Sequence, residues 1–323
     1  MFRLCILESV AENGAINRKH QKLDIMNHLR YFSPRGALLT KQRSALDNDS
    51  LRSLAPSVFA EAEHFSRSDR YSMVPTINVV DALRDSGWFP VAAKQQTVRD
   101  QSRAGFQKHE LRFSHRETIE NKSGALRVGD SLIEVVLTNS HDGSSAYSIE
   151  AGIYRPVCSN GMIVCESMFG RVSVRHQGFD PSQIIDVSAE IVSEAPTIGG
   201  RIEGFQALEL SEDERQLFAE SALMLRHDLS HPDEVRTKAP VSPERMLAPR
   251  RMEDDGRDLW KTLNVVQENA IRGGIKDWRK RNEKGKRFPQ TRPVKGIDGD
   301  QKLNRALFHL AERMAELKTG GAN

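Results

Sequence analysis

The amino-acid sequence predicts an α+β protein: a central antiparallel sheet with helices on one face, followed by a mainly helical carboxyl half. Three observations predict it. Two runs of alternating side chains flank a polar turn within residues 130–155, as the strands of a half-covered sheet do. Further strand-like runs at 90–115 and 171–176 stand on either side of that pair and extend it to four to six strands. Beyond Phe179 the apolar spacing changes to a helical one and stays so.

The hairpin is the clearest element. Ile133, Val135 and Leu137 alternate with Glu134, Val136 and Thr138; after the His141-Asp142-Gly143 turn, Tyr147, Ile149, Ala151 and Ile153 share one face. Arg155 falls in phase with those four. If the alternation holds, its guanidinium points to the covered side, where charge is stable only with a partner. The other reading is a pleat broken at Pro156, with the side chain turned to solvent. Asn160-Gly161 is a turn dipeptide whose amides either close a hairpin or face an anion.

The remaining elements follow in order. Residues 1–50 lack sustained periodicity and read as a poorly ordered extension. SLAPSVFAEAEH suggests a short amphipathic helix, and a second helix covers about 76–84, ended by Gly87 with Trp88 packing back. Residues 90–115 read as two strands around a basic connection holding Arg99, Arg103 and Lys108, with Leu111 and Phe113 alternating with Arg112 and Ser114. Ile184, Ile185, Val187, Ile191 and Val192 mark one helix, and Leu217, Phe218, Ala222 and Leu225 a second that starts at the Ser211-Glu212-Asp213-Glu214 signal. The polar, proline-containing stretch 231–251 reads as a loop or linker, with helices at about 256–272 and 300–317 beyond it. The expected organisation is therefore an extension (1–50), an α+β core (51–230), a linker (231–255) and a helical region with a basic segment (256–323).

Composition excludes several classes. No apolar run reaches membrane-spanning length and the amino terminus has no export signal, so the expected location is the cytoplasm. Cys5, Cys158 and Cys165 are odd in number and lack metal-type spacing. The net charge of +3 is small, but its distribution is uneven. Arg272, Lys276, Arg279, Lys280, Arg281, Lys284, Lys286, Arg287, Arg292 and Lys295 are opposed in that interval only by Asp277 and Glu283, with Trp278 and Phe288 among them. Such a segment either neutralises phosphates while its rings stack on bases, or is a solvated basic loop.

Catalytic constellations do not assemble. His227 and His231 have the four-residue spacing of a zinc hydrolase helix, but the general-base position is an aspartate and Pro232 ends the pattern. Cys158 with His141 or His176 lacks any local feature that would activate a thiol. Gly199-Gly200 and Gly273-Gly274 have neither the strand-loop-helix setting nor the lysine of a phosphate-binding loop. Asp130 and Asp142 stand alone at turn positions. The expectation is a non-enzymatic protein without metal or cofactor.

Three separated segments, APSVFAEAEHFSRSDRYSMVPTINVVDALRDSGWFPV, TNSHDGSSAYSIEAGIYRPVCSNG and DLWKTLNVVQENAIRGG, together resemble the phage/plasmid-like proteins of unknown function, over about residues 51–317. That resemblance implies mobile-element biology and no particular reaction. The order of a helix at Val79–Leu83, Gly87-Trp88 and the Asp142-Gly143 hairpin is also similar to that of the RecT, Redβ and Rad-type single-strand annealing proteins. It implies single-stranded DNA binding in recombination or replication, with Arg99, Arg103, Lys108, Arg112, Arg155, Asn160, Arg272, Arg279, Lys280 and Arg281 as contacts. The alternative is an accessory protein that binds a host protein; either protein is open to homo-oligomerisation.

Overall fold

The computed structural model describes residues 44–62, 64, 73–120, 126–128, 131–155, 160–163, 172–174, 182–277 and 290–320. Helix α1 (Asn48–Leu54) starts inside the stretch expected to be an extension, because the Asp47 carboxylate accepts from Ser50 N at 2.8 Å and Leu51 is buried. It stops there because Pro56 disfavours helical geometry in the residue before it, and a 3-10 turn (Pro56–Phe59) follows. The helix read from SLAPSVFAEAEH is thus two shorter pieces. Helix α2 (Thr76–Asp85) buries Val79, Val80 and Leu83, and Gly87 turns the chain at φ 86°.

Seven strands form one antiparallel sheet among the described residues: β1 (Trp88–Gln95), β2 (His109–His115), β3 (Arg127–Val128), β4 (Ser131–Asn139), β5 (Tyr147–Arg155), β6 (Asn160–Ile163) and β7 (Val172–Val174). The main order is β1-β2-β4-β5-β6, with β3 on β4 and β7 on β5. A short helix, α3 (Arg116–Ile119), follows β2. The expected hairpin is β4–β5, in register from Leu132↔Tyr154 to Thr138↔Ser148. Its turn is held by Asp142 Oδ1, which accepts from Ser144 N at 2.9 Å, and by Gly143 at φ 73°.

Strand alternation gives the sheet two unlike faces. Leu111, Phe113, Ile133, Val135, Leu137, Tyr147, Ile149, Ala151 and Ile153 line the apolar one, which packs against α4 (Ser182–Ala207) and α2. The opposite face carries Lys94, Glu110, Arg112, Ser114, Glu134, Thr138 and Glu150. It lies under the amino-terminal half of α9 (Ile297–Gly320). There Gln301 donates to Glu110 at 2.7 Å and to Thr138 at 2.8 Å, Arg305 Nε donates to Glu150 at 3.0 Å, and Lys94 pairs with Asp300 at 2.8 Å. Burial opposes the charge on Lys94, yet Asp300 and Glu110 outweigh it and hold the amine more firmly protonated than a free lysine.

The carboxyl half is helical, as the change of period predicts. Helix α5 (Glu212–His227) opens with a full capping box, Glu214 N donating to Ser211 Oγ at 3.2 Å and Ser211 N to Glu214 at 2.6 Å. The 231–251 stretch differs from the sequence expectation. It forms α6 (Pro232–Lys238) and α7 (Pro243–Met246), with Val235, Ala239, Val241, Met246 and Leu247 in the core. The prolines read there as breakers stand in first turns, where the missing N–H costs nothing. Helix α8 (Leu259–Arg272), capped by Asp258, is buried along almost its whole length against α4, α5 and α9. One continuous apolar core runs from Leu46 to Ala311. No described helix is long and apolar enough to cross a membrane.

Candidate functional site

The cations that the sequence places on the sheet are withdrawn from solvent and matched by acids. Arg112 Nε donates to Glu134 at 2.6 Å and its Nη2 to Ile153 O at 3.3 Å, while Ser114 holds the other carboxylate oxygen at 3.1 Å. Burial disfavours the Arg112 charge, but Glu134 and Glu110 overcome that and strengthen its protonation. Lys108 pairs with Asp298 at 2.6 Å. Arg155 is 5% exposed and donates to Asp254 at 3.0 Å, so the guanidinium follows the pleat inward and does not turn to solvent. Asn160, expected in a turn, is the backbone partner of Arg155 in β6. Arg99 and Arg103 are exposed on the β1–β2 connection, with Arg103 at 3.7 Å from Asp142.

Arg155 is the inner end of a chain of alternating charges. Asp254 also accepts from Arg251 Nη1 at 2.7 Å, Arg251 Nη2 donates to both oxygens of Glu268 at 2.7 Å, and Glu268 accepts from Arg272. Arg272, at the end of α8, has a half-exposed side chain. Two predicted site residues, one buried and one at the surface, are thus joined through acids that the sequence reading did not single out.

Basic residues gather at the carboxyl end of α8. Gly274 N donates to Thr291 O at 2.8 Å, Thr291 N to Ile275 O at 3.0 Å, and Lys276 pairs with Gln290. This short ladder ties together the two ends of the basic segment; Arg279, Lys280 and Arg281 lie inside it, outside the described residues. Gly273 has φ 62°, and a Cβ there would sit 2.6 Å from the Arg292 carbonyl carbon. Only glycine closes this corner.

Three arginines from elsewhere converge on the corner. Arg226 Nε donates to Ala270 O at 3.1 Å and its Nη2 to Arg292 O at 2.9 Å; Arg245 Nε donates to Lys276 O at 3.1 Å. Arg250 Nε donates to Asn269 Oδ1 at 2.8 Å and its Nη2 to Gly273 O at 2.6 Å, while Asn269 is held by Met246 O and Ala248 O. Burial disfavours the charge of Arg226. It does the same for Arg250, where Glu268 opposes the shift and Arg272 and Arg251 add to it. Sequence reasoning missed all three; the Arg250-Arg251 doublet was the one local signal, and it lies in the stretch read as a linker.

A second polar cluster is fully enclosed. Ser57 Oγ lies 2.8 Å from His109 Nδ1, Thr76 Oγ1 lies 2.8 Å from His109 Nε2 and 3.2 Å from His141 Nε2, and Asn139 Nδ2 donates to Thr76 Oγ1 at 3.0 Å. Gln107 O, 3.2 Å from His109 Nδ1, can only accept, so that nitrogen carries the proton and Nε2 takes the Thr76 hydroxyl proton. The His109 ring is therefore neutral. Burial, followed by the neighbouring His141, pushes His109 down to about 3. The two histidines of the HDLSH sequence are not on one helical face: His227 ends α5, Asp228 turns left-handed at φ 53°, and His231 stands at the N-cap position of α6 without a side-chain cap bond. No group of three metal-ligand side chains occurs among the described residues.

Residues 63–308 match the domain of unknown function DUF932. The chain belongs to the DUF932 family. It is 39% identical over 278 residues to the UPF0380 protein YafZ of Escherichia coli K12, spanning 86% of this chain and 94% of that protein. The UPF0380 protein YfjQ of the same organism matches with the same identity and coverage. No solved structure matches. The sheet, the charge chain and the α8 corner all lie within the DUF932 region.

Proposed function

We propose that this DUF932 protein binds single-stranded DNA and serves annealing or strand protection in the recombination or replication of a mobile element. The observation that carries the reading is the α8 corner. A ladder at residues 274–276 and 290–291 closes the base of the most basic segment of the chain beside Arg272 and Arg292. Cations at the end of a helix and in the sequence that follows suit a phosphate backbone, and Trp278 and Phe288, outside the described residues, are the aromatics that the sequence offers for base stacking. Arg99 and Arg103 belong to the proposal as exposed phosphate contacts. Lys108, Arg112 and Arg155 do not, because a nucleic acid would have to displace Asp298, Glu134 and Asp254 to reach them.

Titration of fluorescein-labelled oligothymidylate and of duplex DNA at two salt concentrations tests the reading. Affinity falls steeply with salt, and alanine at Arg279, Lys280 and Arg281 together flattens the log–log slope by about two units if each meets one phosphate. An unchanged slope would refute the role of that segment. Absence of binding to either DNA at low salt, with a host protein recovered in stoichiometric complex, would favour an accessory role instead.

A further inference from the structure

We infer that the first turn of α9 is an autoinhibitory strap: Asp298 occupies Lys108 of the β1–β2 hairpin, Asp300 latches onto Lys94, and a phosphate of the bound strand takes Lys108 when the turn opens. The inference rests on the nucleic-acid reading above and goes beyond it by naming a contact that the closed arrangement withholds. Asp298, which keeps Lys108 off the direct surface, is the moving part.

The position of Lys108 is the first argument. Gln95 pairs with His109 across β1 and β2, and Gln96 N donates to Lys108 O at 2.8 Å, so Lys108 stands at the foot of the connection that carries exposed Arg99 and Arg103. Residues 94–110 hold four cations, Lys94, Arg99, Arg103 and Lys108, against two acids, Asp100 and Glu110. The acids that level this excess come from α9. Lys108 Nζ meets Asp298 at 2.6 Å and Lys94 Nζ meets Asp300 at 2.8 Å. Arg103 has only a looser partner, Asp142 at 3.7 Å on the other side. An anionic oxygen is thus already seated on Lys108, and a phosphate oxygen offers the same charge-assisted bond. Lys94 keeps Glu110 at 2.9 Å if Asp300 leaves, so Lys108 is the cation gained.

The turn also opens more cheaply than the helix behind it. The Asp298 side chain is 68% exposed, so solvent and salt weaken its pair with Lys108. Gly299 lies inside the turn and lowers its helical stability by up to about 1 kcal/mol relative to alanine. Ile297 is the one apolar side chain that residues 297–300 bury. Beyond them the helix is anchored: Gln301 and Arg305 bond to the sheet, and Leu303, Leu307, Phe308 and Ala311 enter the core. Helix ends open at lower free energy than such packed interiors, so the opening stops short of Gln301.

The test titrates labelled oligothymidylate over a range of salt into the full chain and into Asp298→Asn, Lys108→Gln, the double variant and Glu316→Gln. Glu316, with a side chain 60% exposed near the far end of α9 and paired with Arg313, reports what removing any one surface acid does. In the unaltered chain, phosphate merely replaces a carboxylate on Lys108, which hides one contact from the salt dependence. Asp298→Asn therefore tightens binding about threefold at low salt and steepens the log–log slope by about 0.7, the share of one phosphate on a single strand. Glu316→Gln does neither, and adding Lys108→Gln to Asp298→Asn cancels both effects. Hydrogen exchange at residues 297–300 speeds up when oligothymidylate binds the unaltered chain, while residues 303–312 keep their protection. If DNA binds but Asp298→Asn gains no more than Glu316→Gln, if its gain survives Lys108→Gln, or if DNA slows exchange in the turn, the inference falls and the nucleic-acid reading stands. If neither the unaltered chain nor Asp298→Asn binds DNA at low salt, both fall.

Discussion

Asymmetry along the Arg155–Asp254–Arg251–Glu268–Arg272 chain yields a prediction whose size follows from the pairing. Asp254 is 2% exposed and accepts from two arginines, Arg155 at 3.0 Å and Arg251 at 2.7 Å. Arg155→Met therefore leaves the carboxylate with a partner, and its cost is that of a charged hydrogen bond, about 1.5–3 kcal/mol. Asp254→Leu removes the acid between two guanidiniums, one of them buried, and costs about 3–5 kcal/mol. In the double variant the buried positive charge at 155 is gone, so its destabilisation is less than the sum of the two. Urea unfolding followed by the fluorescence of the buried Trp88 and Trp260 measures all three. Equal costs for the single variants, or additivity in the double, would refute the shared-acid arrangement.

Acid sensitivity follows from the enclosed histidine cluster. His109 at about 3 lies below the ordinary histidine value, so the unfolded chain takes up the proton first. Its contribution to stability is complete above about pH 6.5 and is lost as pH falls toward 3, amounting to about 2 kcal/mol between pH 7.5 and 5. The His109→Gln variant should show a shallower fall over that range, and parallel curves would exclude His109 as the source. Glycine substitutions should separate constraint from tolerance. Gly273→Ala meets both a positive φ and the Arg292 backbone and costs about 2 kcal/mol or more. Gly200→Ala, exposed in α4 with open space around the added methyl, stabilises by about 0.8 kcal/mol. Melting temperatures moving in the same direction for both would contradict the backbone geometry at the corner.

Local pattern was enough for the sheet and much of the helical half. A side-chain period of two declares which residues share a strand face, so Ile133, Val135 and Leu137 and their β5 counterparts were placed, and Arg155 was marked as needing a partner. The Ser211-to-Glu214 signal likewise announced a helix start, because a capping box is satisfied within four residues. Which acid receives Arg155 was not local information: Asp254 is 99 residues away and arrives only when the residues before α8 pack beside the strand end. The polar sheet face shows the same limit. Arg112 read as a cation facing outward, and packing of α9 over it turned the position into a buried ion pair. Pro232 and Pro243 read as linker residues because a proline's effect depends on whether it falls within a helix or at its first turn, which neighbouring core contacts settle. The corner at α8 brings together residues 226, 245, 250, 269, 273 and 292 through carbonyl contacts. Periodicity records which face of an element is buried; the meeting of charges from separate elements depends on tertiary packing alone.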